Sequence, residues 1–168
     1  MDTVSVLKCD TYEYQLVKQA IEQSFDNLGG IEQFIRPSDK VLLKLNLLMR
    51  KHPDDAVTTH SVFAKALAET IMEAGGIVTI ADSPGGLYNE TVLRSVYRGC
   101  KIEEIANELG VRLNYDTGFE TVSFPEGKTV KSFPIIRPIL DADVVITVPK
   151  LKTHMMTFYS GAVKNMFG

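Results

Sequence analysis

The sequence predicts an α/β fold, a Rossmann-like and mostly parallel sheet with helices on both faces, plus a small hairpin. Three observations predict it. Short apolar runs of strand length alternate with stretches of helical periodicity, the pattern of a parallel sheet with helical crossovers. Glycine pairs at Gly29-Gly30 and Gly75-Gly76 close the first two helical stretches, as left-handed helix ends favour. Pro125-Glu126-Gly127-Lys128 stands between two extended runs, the signature of a hairpin turn.

Taken in order, Val4-Ser5-Val6-Leu7-Lys8 is expected as a first strand. Residues 13–28 place Leu16, Val17, Ala20, Ile21, Ser24 and Leu28 on one helical face. Val41-Leu42-Leu43-Lys44-Leu45 reads as a buried strand. Residues 61–74 read as a second helix, turning Val62, Ala66, Leu67, Thr70 and Ile71 inward, with Thr58 or Thr59 as its cap. Ile77-Val78-Thr79-Ile80-Ala81 is a third strand. Two short helices are expected near 90–98 and 102–109, then extended structure at 111–115. Residues 121–124 and 129–135 form the hairpin, residues 143–148 a last strand, and residues 157–166 a closing short helix.

The chain has 168 residues, 18 Lys+Arg against 21 Asp+Glu, and 45% hydrophobic residues, which excludes disordered and fibrous classes and fits one domain over 1–168. The formal charge of −3 argues against a general nucleic-acid binder. No signal peptide opens the chain, and no apolar run approaches the ~20 residues of a membrane helix. A cytoplasmic setting away from the membrane is therefore expected. Because the sequence stops as its last helix turns out, it is expected to be truncated at the C-terminus. Cys9 and Cys100 stand apart, without metal or disulfide spacing and without a basic partner for a nucleophile. Gly127-Lys128-Thr129 imitates the end of a P-loop, but the first required glycine would fall at Val122.

In open α/β sheets, ligands bind beyond the carboxyl ends of the strands. Lys44 and Asn46 follow the second strand, with Thr58, Thr59 and His60 opening the next helix. Asp82, Ser83, Gly85 and Gly86 follow the third. Lys150, Lys152, Thr153 and His154 follow the last, with Lys164 and Asn165 beyond. From Pro149 to Gly168 there are three lysines and no acid, so this segment carries +3 and the remainder −6. Such a rim suits an anion, though a solvated strand end would look the same. Asp82 would bind a metal, bond a hydroxyl or cap the next turn, and the sequence leaves all three open. His60, Asp82 and His154 would make a mixed nitrogen and oxygen site for a divalent metal if their loops converge.

These strand-end motifs resemble the DUF362 family: Leu43-Lys44-Leu45-Asn46-Leu47, Thr58-Thr59-His60, Ala81-Asp82-Ser83-Pro84-Gly85, and Val148 through His154. The closing Gly161-Ala162-Val163-Lys164-Asn165-Met166-Phe167-Gly168 completes the set. Leu45 departs from the proline usual there. The resemblance implies a frequent C-terminal ferredoxin-like module with 4Fe-4S clusters, which this stretch has no cysteines to hold. The expected function is an enzyme domain that binds a small anionic molecule and is redox-coupled to such a module or partner. Lys152 and His154 would be its catalytic groups. The alternative is a non-catalytic scaffold presenting a basic rim to a partner protein.

Overall fold

The structure, a computed structural model, describes residues 3–167. Four parallel strands form its centre in the order β3 (Arg112–Leu113), β2 (Ile77–Ala81), β1 (Lys40–Lys44), β6 (Val144–Thr147). Val41 is flanked by Val78 and Val144, and Lys44 by Ala81 and Thr147, so three strands end level with one another. The expected α/β fold is the observed one.

Alternation along the strands decides what each face meets. Val41, Leu43, Val78 and Ile80 turn to one face. They join a single core with residues of α1 (Tyr14–Asn27), α2 (Ser61–Glu73), α3 (Glu90–Gly99) and α4 (Ile102–Leu109). Leu42 and Thr79 turn to the other face. With Pro138 and Asp141 of the α5 region (Arg137–Leu140), they line a cleft of about 840 Å³. The connection between β3 and β6 carries the hairpin of β4 (Phe119–Ser123) and β5 (Ser132–Ile136), which surrounds the expected turn.

Helix ends follow local chemistry. Asn89 accepts from Val92 N at 2.9 Å and caps α3. Gly75 closes the turn after α2 at φ +88°, where an added Cβ would lie 3.2 Å from Pro37 Cα. Gly75→Ala is therefore expected to cost about 1–2 kcal/mol or more, because left-handed backbone strain and a backbone collision coincide. Gly110→Ala, also at positive φ but with open space around it, should cost less. Urea midpoints of the two variants would check the order.

Two expected elements differ. Residues 4–8 form no strand, and Val4 and Val6 are exposed. Their alternating pattern finds no strand edge to bond, and Leu7 and Cys9 instead line a cleft with Ile21, Phe63 and Val148. The expected helix at 157–166 is mostly a hairpin, β7 (Lys152–His154) with β8 (Phe158–Ser160), before a single turn α6 (Ala162–Asn165). His154 Nδ1 accepts from Met156 N and Thr157 N at 3.2 and 3.3 Å, and Phe158 adopts φ +64°. Both features close a tight turn where a helix would have to run.

Candidate functional site

The level strand ends bring the sequence-predicted residues together, though in different roles. Lys44 ends β1 and Asp82 follows β2. Their side chains are 1% and 3% exposed and form a short ion pair. Asp82 Oδ1 faces the ammonium, and Oδ2 accepts from Leu47 N at 2.7 Å. Lys44 Nζ also donates to Leu45 O at 3.3 Å. Tyr97 of α3 reaches beneath, its hydroxyl accepting from Asp82 N at 3.3 Å, and burial raises its pKa well above the ordinary phenol value. Lys44, expected to bind ligand, is thus the buried counter-ion of Asp82. Asp82, expected as a metal ligand, has both oxygens engaged within the protein.

A neutral network ties the same ends to α2 and α6. Thr59 Oγ1 donates to Val148 O at 2.6 Å and accepts from Asn46 N at 2.9 Å. Thr59 N donates to Asn46 O at 2.9 Å. Asn165 Nδ2 donates to Thr147 Oγ1 at 2.9 Å and Lys44 O at 3.2 Å, while Asn165 Oδ1 accepts from Asn46 Nδ2 at 3.0 Å. Thr58 is fully buried against the Cys100 thiol, without a partner of normal hydrogen-bond geometry among the described residues. Neither threonine caps α2. His60 does, its Nδ1 accepting from Val62 N at 3.2 Å.

That bond fixes the His60 tautomer, because an accepting Nδ1 leaves the hydrogen on Nε2, which faces Asp54 Oδ1 at 3.3 Å. Both ring nitrogens are therefore occupied in the ring plane. The ring face meets Tyr12, with centroids 3.6 Å apart and planes 8° from parallel. Burial, the largest cause, lowers the His60 pKa, while Asp54 opposes it by hydrogen bonding and charge. The folded chain holds this ring neutral where the unfolded chain would protonate it at the ordinary value of about 6.5. Its contribution to stability is thus full above that pH and is lost as pH falls below it. His60→Asn, which keeps a capping oxygen, should flatten the stability-versus-pH slope just below pH ~6.5. Urea titrations at several pH values would show this.

The lysines of the final segment complete the rim. Lys152 is half-buried and donates to Val57 O. Burial lowers its pKa first, Asp82 raises it, and the charges of Lys150 and Lys164 lower it again. Lys150 Nζ donates to Tyr12 Oη at 3.0 Å. Among the described residues, none of these three lysines forms an ion pair. Ser83 is half-buried, whereas Thr153, Gly85 and Gly86 are exposed. Gly86 takes φ +92° in the turn after β2, with open space around it.

Among the described residues, no three His, Cys, Asp or Glu side chains gather as a metal site requires. The trio His60, Asp82 and His154 is not brought together, because each already serves a local bond. An iron–sulfur cluster does not fit either, since Cys9 is exposed and Cys100 buried, with no further ligands beside them. Sequence reasoning missed Tyr12, Asp54 and Tyr97. Only Tyr97 left a signal, a polar-tipped ring one helical turn after Leu93 on an apolar face. The 840 Å³ cleft lies across the sheet face toward the amino ends of the strands, with Lys40, Ile77 and Gly110 in its lining, away from these lysines. No helix among the described residues is long and apolar enough to cross a membrane.

Compared with known proteins, the chain matches no solved structure. It is 30% identical over 166 residues to the thylakoid-associated protein sll1697 of Synechocystis sp., covering 99% of this chain and 50% of that protein. The chain thus spans about half the length of this relative. Residues 41–168, which hold Asp82, all three rim lysines and β1 except Lys40, match the domain of unknown function DUF362, and the chain belongs to that family.

Proposed function

We propose that this domain is part of an enzyme and binds a small anionic ligand at the carboxyl ends of β1, β2 and β6. One observation carries the reading: Lys152 is half-buried and feels the charges of both Lys150 and Lys164, while the carboxylate that acts on it, Asp82, is already bonded to Lys44. Holding ammonium groups without a counter-ion partly out of water is costly, and a bound anion would relieve that cost. Lys152, with its lowered pKa, is the proton-transfer group of the proposal. His154 faces the ligand with what its turn leaves over, since Nδ1 is occupied. Thr59, Asn46 and Asn165 hold the strand ends in position. Redox coupling falls to an iron–sulfur module or partner outside residues 3–167, and the setting is the cytoplasm.

The test is titration of the protein with inorganic phosphate and with succinate, followed by calorimetry and melting temperature. Lys152→Met should weaken binding by about tenfold or more, the worth of a charge-assisted hydrogen bond, while leaving the melting temperature of the free protein close to wild type. Equal affinities in the two proteins would remove Lys152 from the site.

A second reading, a docking surface for a partner protein, is favoured by the exposed Leu151, Met155, Met156, Phe158 and Tyr159 around the β7–β8 hairpin. Exposed apolar groups in such number mark contact surfaces more often than ligand pockets. It predicts that neither anion shifts the melting temperature.

A further inference from the structure

We infer that His60 is a stacking platform for a planar aromatic anion, an aryl carboxylate or phenolate, and that Tyr12 occupies this place in the unliganded protein. The inference rests on the anion-site reading above and names the ligand class for the same rim. Its basis is geometric. The imidazole is pinned at both nitrogens, by Val62 N and Asp54, so it has no lone pair or hydrogen left to offer, only its face. Tyr12 covers that face in near-parallel contact at 3.6 Å.

The polar end of the occupying ring is also specified. Lys150 Nζ lies 3.0 Å from Tyr12 Oη and 5.5 Å from the ring centre. That spacing sets the ligand's anionic oxygen close to a flat ring, one or two bonds from it, rather than at the end of a flexible chain. Tyr12 can leave cheaply. It sits at the end of a segment, residues 3–13, that has no regular secondary structure and is exposed nearly throughout, the kind of backbone that opens at little cost. On departure it would uncover the imidazole face and release the Lys150 ammonium together, beside Lys152.

The experiment compares benzoate with cyclohexanecarboxylate, which share a charge and differ in flatness. In Tyr12→Ala, benzoate should bind about threefold to tenfold tighter than cyclohexanecarboxylate, the increment an aromatic pair adds, and tighter than it binds wild type. Tyr12→Phe, which keeps the occupying ring, should stay near wild type. Adding His60→Asn to Tyr12→Ala keeps the α2 cap and should erase the preference for benzoate. Equal binding of the two carboxylates by Tyr12→Ala, with phosphate still bound, would overturn the stacking inference and leave the anion site standing. Failure of all three anions to bind any form would overturn both.

Discussion

Asp82→Ala is expected to destabilise the domain by about 3–5 kcal/mol, the cost of stripping a buried charge of its partner. Lys44 is 1% exposed and its ammonium faces the Asp82 carboxylate. The same substitution leaves Leu47 N without its 2.7 Å acceptor. Lys44→Met should also be costly, since Asp82 then keeps a buried negative charge with only neutral donors. The informative protein is the double variant Lys44→Met with Asp82→Leu. A buried ion pair replaced whole by apolar groups of similar volume is often neutral or better, so the double variant should recover most of the loss. Urea unfolding of wild type, Lys44→Met, Asp82→Leu and the double variant forms a double-mutant cycle. A double variant as unstable as Asp82→Ala would show that the Asp82 side chain acts through its Leu47 bond rather than through the charge.

The contrast bears on why the pair exists. An apolar replacement would serve the fold, yet it would remove the carboxylate that raises the Lys152 pKa against burial. The pair adds no net charge to the strand ends and keeps a negative group near the rim lysines. Its use under the proposed function is to tune Lys152, so the double variant should fold well and still bind anions with altered pH dependence.

How much of this was legible depended on whether the deciding contact was local. β1 and β2 were readable because Val41-Leu42-Leu43 are buried on both faces and Val78, Ile80 and Ala81 are buried in β2, which leaves nearly continuous apolar runs. Residues 4–8 carry an alternating pattern and form no strand, since a strand exists only where an edge accepts it. The 152–160 hairpin was misread because a turn bonded to His154 Nδ1 outweighs helical spacing, and side-chain bonds of that kind compete with helix locally. At the site, topology alone gathers Lys44, Asp82, Thr59 and the final lysines, so their residue types and strand-end positions sufficed. Their roles did not follow. Pairing between Lys44 and Asp82 depends on register across β1 and β2, and Tyr12 reaches His60 from a segment with no periodicity to read.

Thr59→Val is the second large effect, and it tests whether the strand ends are held by one hydroxyl. The side chain is 3% exposed and replacement by valine conserves shape. What disappears is a donor to Val148 O at 2.6 Å and an acceptor for Asn46 N at 2.9 Å. These groups lie just past β6 and β1, where the ladder bonds have ended, so each is left without that partner. An unsatisfied buried polar group costs about 1–3 kcal/mol, and the two together should cost about 2–4 kcal/mol. Thr59→Ser keeps the oxygen and should cost under about 1.5 kcal/mol, mainly a buried methyl. Hydrogen exchange separates this from general loosening: the Asn46 amide should exchange faster in Thr59→Val by more than the global change predicts, and the β2 amides should not. Since Asn46 also bonds Asn165, and Asn165 anchors α6 with Lys164, phosphate affinity should fall in Thr59→Val but not in Thr59→Ser. A valine variant with wild-type affinity and exchange would mean that α6 and the sheet hold the lysines without Thr59.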